Sequence, residues 1–201
     1  MSTPRVGVLA LQGDVREHAA MLRALGVEVS SVRRAEDLAG IDGLVIPGGE
    51  SSVIDKLSRL FGVAEPIRSA IADGLPVLGT CAGLIMLADT VHDAIDGQES
   101  FGGLDVTVRR NAFGRQAESF DAELSAPAFG SEPLRVTFIR GPVITDVGTT
   151  TPLVTLPDGR VVAVERGALI GVSFHPEITG ESRVHERFLA HVRSRAAHTV
   201  R

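Results

Sequence analysis

The chain has no tryptophan and no tyrosine, a single lysine (Lys56) and a single cysteine (Cys81). With eight phenylalanines as its large aromatics, it has little with which to stack on nucleic-acid bases. A net charge of −5 gives no electrostatic grip on a phosphate backbone either. One cysteine excludes an internal disulfide and points to a reducing compartment. No apolar run approaches the roughly 20 residues that span a bilayer. The opening Met1-Ser2-Thr3-Pro4-Arg5 lacks the basic and apolar regions of a signal peptide. A cytoplasmic protein is the expectation. Metal-binding patterns such as His-Glu-x-x-His are missing, and the glycines lack the spacing of nucleotide loops, so neither a metal nor a cofactor is expected. His18, His92 and His198 stand apart and read as solvated surface residues. His185 and His191, six apart on one helix, fall on different faces.

What is present is a regular alternation. Residues 6–11, 27–32, 44–46 and 76–78 read as buried strands, and residues 14–25, 52–61, 65–73 and 84–88 as helices. Strands separated by helices require crossovers. This predicts an α/β fold with a three-layer arrangement: a mostly parallel central sheet with helices on both faces. Beyond Gly97 the texture changes. Segments 104–109, 134–140, 153–156, 160–165 and 168–174 are strand-like, and Pro157-Asp158-Gly159 marks a hairpin, so antiparallel strands are expected to extend the sheet. A last helix covers 182–195, and 111–133 carries no clear period. A single domain over residues 1–201 is expected.

Three segments at strand ends carry chemistry. Gly79-Thr80-Cys81-Ala82-Gly83 lies between an apolar strand and an apolar helix, the pattern of a nucleophile elbow, whose sharp turn admits only small neighbours. A helix N-terminus favours negative charge there, which suits a thiolate; a buried structural cysteine is the competing reading. Ser173-Phe174-His175-Pro176-Glu177 presents His175 and Glu177 on one side of an extended segment, as a base and the carboxylate that orients it. Pro47-Gly48-Gly49-Glu50-Ser51 offers the backbone N–H groups of Gly48 and Gly49, which with that of Ala82 suit an oxyanion. This glycine-rich loop shows no local brace in the sequence, which suggests that it is set only when a partner docks. In an open parallel sheet such groups collect outside the carboxyl ends of the strands.

Pro-Gly-Gly, Gly-x-Cys-x-Gly and His-Pro-Glu in that order resemble the class I (triad-type) glutamine amidotransferases. Val8-Leu9-Ala10-Leu11-Gln12-Gly13-Asp14-Val15-Arg16-Glu17-His18, Arg110-Asn111-Ala112-Phe113-Gly114-Arg115-Gln116 and Phe138-Ile139-Arg140 narrow the resemblance to the glutaminase subunits of pyridoxal 5′-phosphate synthases. The matches span residues 6 to 177. The resemblance implies a flavodoxin-like fold and hydrolysis of L-glutamine to glutamate and ammonia by a triad of Cys81, His175 and Glu177. It also implies a glutamine site at Gly49, Glu50, Ser51, Arg110, Ile139 and Arg140. The implied partner is a (β/α)8-barrel synthase subunit, which would build pyridoxal 5′-phosphate from a pentose phosphate and a triose phosphate. Arg110 or Arg140 would pair with the substrate carboxylate, an internal ion pair being the alternative for each. Gly141 and Ser52 depart from the pattern, where alanine and threonine are usual. The alternatives are the glutaminase subunit of another biosynthetic amidotransferase (histidine or nucleotide pathway), a non-catalytic scaffold with this fold, and a cysteine peptidase or thioesterase.

Overall fold

The structure, a computed structural model, describes residues 3–110 and 120–199. β1 (Arg5–Leu9), α1 (Val15–Ala24), β2 (Glu28–Val32) and β3 (Gly43–Ile46) are followed by α2 (Ser51–Leu60), α3 (Ala64–Ala72), β4 (Val77–Thr80) and α4 (Ala82–Leu87). Then come β5 (Ala88–His92), β6 (Leu104–Arg109), β7 (Phe120–Leu124), β8 (Leu134–Phe138) and β9 (Val143–Asp146). The chain closes with β10 (Thr151–Thr155), β11 (Val161–Arg166), β12 (Leu169–Val172), α5 (Pro176–Thr179) and α6 (Arg183–Thr199).

Seven strands form the main sheet in the order β10-β11-β12-β4-β3-β1-β2. The five from β12 to β2 run parallel, and β10 and β11 add an antiparallel edge. The apolar runs read as strands are those buried on both faces. Leu44 and Ile46 point to one side of β3 and Val45 to the other, and they fall in separate hydrophobic clusters. Such continuous apolar strands are what a parallel sheet covered by helices demands. On one face Val184, Phe188, Leu189 and Val192 of α6 pack with Leu22 of α1 over Val6, Val8, Val45 and Leu78. On the other, Ile54, Ile67, Leu84 and Met86 of α2, α3 and α4 cover Leu44, Ile46 and Val77. Each large side chain so buried contributes about 1.5–3 kcal/mol. α1 buries His18, Ala19 and Leu22 along one stripe, and Gly26 ends it at φ 79°, the left-handed turn that glycine makes without strain.

The antiparallel expectation holds for β10 and β11, joined through 157–159. The segments 104–109 and 134–140, however, do not extend the main sheet. β6 joins β5 and β9 in a three-stranded sheet, and β8 pairs with β7 in a separate hairpin. β6 alternates buried and half-buried residues, so it lies on the core with one face only. β8 stops at Phe138 because Arg140 takes φ 46°. The segment Asn111 to Gln116 lies outside the described residues. Among the described residues no helix is long and apolar enough to cross a membrane.

Candidate active site

The three expected segments meet outside the carboxyl ends of β3, β4 and β12. β12 lies directly beside β4, with Val172 opposite Thr80, and the Cys81 N–H donates to the Val172 carbonyl at 2.8 Å. Cys81 sits between β4 and α4 at φ 50°, ψ −103°, a conformation that a β-carbon makes costly by about 1–3 kcal/mol. The surrounding packing holds it. A β-carbon on Gly83 would run into the Ile46 carbonyl oxygen, and one on Gly79 would meet the Gly83 carbonyl 2.5 Å away. Small residues around the nucleophile therefore follow from the close approach of α4 to β3.

Past β12 the chain is pinned by the His175 N–H, which donates to the Thr137 carbonyl of β8 at 2.8 Å. Pro176 then starts α5, which brings Glu177 under the ring. His175 Nδ1 lies 2.8 Å from Glu177 Oε1 and 3.2 Å from Asp14 Oδ2. With Nδ1 engaged by carboxylates, Nε2 is left for the thiol, as the geometry of a base and its orienter requires. Burial by itself pulls the ring down, but Asp14, the Cys81 thiol and Glu177 outweigh it and push the His175 pKa up to about 12. Burial raises Glu177, against the pull of its hydrogen bond with His175. Asp14 is thus a second carboxylate on the imidazole, one to which the sequence alone assigns no role.

A cleft of about 280 Å³ opens above these groups, lined by Gly49, Glu50, Ser51, Cys81, Ala82, Arg110, Ile139, Arg140 and His175. Gln12, Asp14 and Ile85 complete the wall. Gly48 sits behind the ring: a β-carbon there would strike His175 Cε1. The Cys81 Sγ lies 3.8 Å from the Ile139 carbonyl oxygen. Ala82 opens α4, so its N–H has no intrahelical partner. The Pro47-Gly48-Gly49 loop has a brace, though not a local one. Asp14 N–H donates to the Gly48 carbonyl at 3.2 Å, and Glu50 N–H donates to Gln12 Oε1 at 2.7 Å. The brace comes from residues some thirty-five positions earlier, which local sequence could not reveal.

The two arginines differ. Arg110 is buried and held by Glu50 at 2.7 Å and Gln98 at 2.6 Å. Arg140 is exposed at the rim and has no ion-pair partner among the described residues. Among the described residues the ion-pair alternative is met by Arg110 alone. Asp14, His175 and Glu177 place their side-chain N and O atoms within 4.8 Å of one another. Beneath the cleft, His18 departs from the surface role expected of it. It is fully buried on α1, with His185 of α6 and Thr80 as partners at 2.9 and 3.1 Å. His191 pairs instead with Glu165.

An elbow cysteine and an imidazole at neighbouring ends of a mostly parallel sheet, with helices on both faces, define a class I glutamine amidotransferase-like α/β protein. Solved structures agree: a protein described as a glutamine amidotransferase superposes with a TM-score of 0.86 at 42% identity, over 93% of this chain and 98% of that one. PurLQS from Thermotoga maritima shares the fold at TM-score 0.70 and 20% identity, over 95% of this chain and 100% of the matched one. The model of the SNO glutamine amidotransferase family matches residues 8–194, and the chain belongs to that family. Among curated relatives, the pyridoxal 5′-phosphate synthase subunit PdxT of Leifsonia xyli is 62% identical, over 96% of this chain and 98% of that protein. PdxT of Streptomyces avermitilis is 52% identical, over 96% of each.

Proposed function

We propose that this chain, as a single amidotransferase domain in the cytoplasm, is the glutaminase subunit of a pyridoxal 5′-phosphate synthase. It hydrolyses L-glutamine and passes the ammonia to a (β/α)8-barrel synthase subunit. The observation that carries the reading is the meeting of Cys81 and His175 at the ends of adjacent parallel strands, with Glu177 buried behind the ring. Relatives that are 52% and 62% identical and named as PdxT subunits support the choice of acceptor synthase.

The parts act as follows. The substrate carboxylate meets the exposed guanidinium of Arg140, while Arg110, paired with Glu50, holds that residue at the cleft; the backbone of Gly49, Glu50, Ser51 and Ile139 holds the rest of the amino acid. The Cys81 thiolate attacks the side-chain amide carbon. The N–H groups of Ala82, Gly48 and Gly49 stabilise the tetrahedral oxyanion. His175 gives its proton to the leaving ammonia, with Glu177 compensating the charge of the ring. The same imidazole then takes a proton from water, which hydrolyses the γ-glutamyl thioester and returns the thiol. The test is rapid acid quench of the protein mixed with glutamine and the synthase subunit, followed by mass spectrometry. A γ-glutamyl adduct on Cys81, absent from Cys81→Ala, is expected. Glutamine turnover by Cys81→Ala would refute the reading.

A further inference from the structure

Behind the reacting groups lies a cluster of buried polar side chains that hydrolysis itself does not use. His18 Nδ1 is 2.9 Å from His185 Nε2. Its Nε2 lies 3.1 Å from Thr80 Oγ1 and 3.5 Å from Glu177 Oε1. Burial holds both rings below the usual imidazole range, His185 at about 4, so each is neutral, with one N–H and one lone pair. The carboxylate orders them. A lone pair on His18 Nε2 would face the negative oxygen of Glu177, so that nitrogen carries the proton. Nδ1 then accepts from the His185 Nε2–H. The bare nitrogen falls on His185 Nδ1, a buried atom with no hydrogen-bond partner among the described residues. The end of the chain is thus an unused acceptor rather than an orphaned N–H, the rarer defect in proteins.

Glu177 depends on this arrangement. Its Oε2 has no hydrogen-bond partner among the described residues, so the side chain is held through Oε1, where His175 and His18 converge. Asp14, more exposed, offers His175 Nδ1 a competing acceptor at 3.2 Å. A loosened Glu177 would let the imidazole lean toward Asp14 and away from the thiol. The same histidine bonds Thr80, the residue before the nucleophile.

We propose that His18 is a positioning residue for the hydrolysis. Its Nε2–H seats Glu177 beneath His175 and ties it to Thr80, while His185 fixes the tautomer that allows this. The inference rests on Cys81, His175 and Glu177 being the reacting groups.

The experiment compares His18→Gln with His18→Asn by steady-state glutaminase assay in the presence of the synthase subunit. Gln places an amide N–H near the position of Nε2, whereas the shorter Asn places it near Nδ1, toward His185; both are polar. For His18→Asn, kcat is expected to fall about tenfold, the loss of the Nε2–H contact 3.5 Å from the Glu177 carboxylate. KM for glutamine should stay within about threefold, because the arginines and the Gly49 loop are untouched. His18→Gln is expected to recover most of kcat. Adding His185→Leu to His18→Asn should cost little more, since His185 acts through His18. Equal kcat for His18→Asn and the unaltered protein, or Gln no better than Asn, would overturn the proposal. Cys81→Ala, assayed alongside, separates the two readings: residual turnover there refutes the triad, whereas a dead Cys81→Ala with an indifferent His18 refutes the positioning role alone.

Discussion

Acid should unfold this protein earlier than its carboxylates alone would dictate, because two histidines are buried neutral. Burial lowers His185 from 6.5 to about 4 and holds His18 well below its ordinary value, whereas in the unfolded chain both titrate near 6.5. Below that pH the unfolded state binds more protons than the folded state, so stability rises with pH and is lost as pH falls from 6.5 toward the folded values. Each buried ring contributes a slope of up to about 1.4 kcal/mol per pH unit, and His185 alone removes about 2 kcal/mol between pH 7 and pH 4.5. His175 adds nothing to this loss: its raised pKa of about 12 leaves it protonated in both states below 6.5, and its contribution is lost on the alkaline side as pH rises toward that value. The assay is urea unfolding at intervals from pH 7 to pH 4.5, for the unaltered chain and for His185→Gln, which keeps a donor toward His18. Carboxylates held low by a hydroxyl and a backbone N–H, as Thr149 holds Asp105, or by an arginine, as Arg183 holds Glu181, contribute equally to both and cancel in the difference. The variant's curve is expected to be shallower by about one proton near pH 5. Parallel curves would refute the buried, neutral assignment.

Two further outcomes follow from the close contacts and the ion pairs. In Gly83→Ala the new methyl meets the Ile46 carbonyl, and β3 or α4 must shift. A loss of about 1–3 kcal/mol, several degrees in a thermal melt, is expected, and an unchanged Tm would contradict it. Arg110→Gln breaks the pairing with Glu50 and removes a cation from the cleft. KM for glutamine should rise about tenfold with a smaller change in kcat, as read from initial rates.

The segments that carry the reaction were legible because each is punctuated locally. Small residues around Cys81, proline after His175 and paired glycines after β3 all mark abrupt changes of direction at strand ends. The parallel sheet was legible because its strands are apolar without alternation. The supporting residues were not. His18 reads as an ordinary polar position of α1, and only the arrival of α6, which brings His185 from 167 positions away, makes it interior. Asp14 acts on His175 across a similar gap, and Gln12 on the Gly48-Gly49 loop across 38 positions. β5, β7 and β9 escaped because they are short and half exposed, so no run of apolar residues announces them.

The pairing of Val172 with Thr80 has a consequence for how such a chain can change. The strand that ends at the nucleophile and the strand that leads to the base are one rung of a hydrogen-bonded ladder apart, a lattice constant of the sheet close to about 4.8 Å. Between β4 and β12 the chain leaves that lattice for the two small sheets and re-enters it at the edge, through β10 and β11. Parts of the detour can lengthen or shorten to suit a different acceptor enzyme without altering the spacing of these two strands, provided that β8 still brings the Thr137 carbonyl to the His175 N–H.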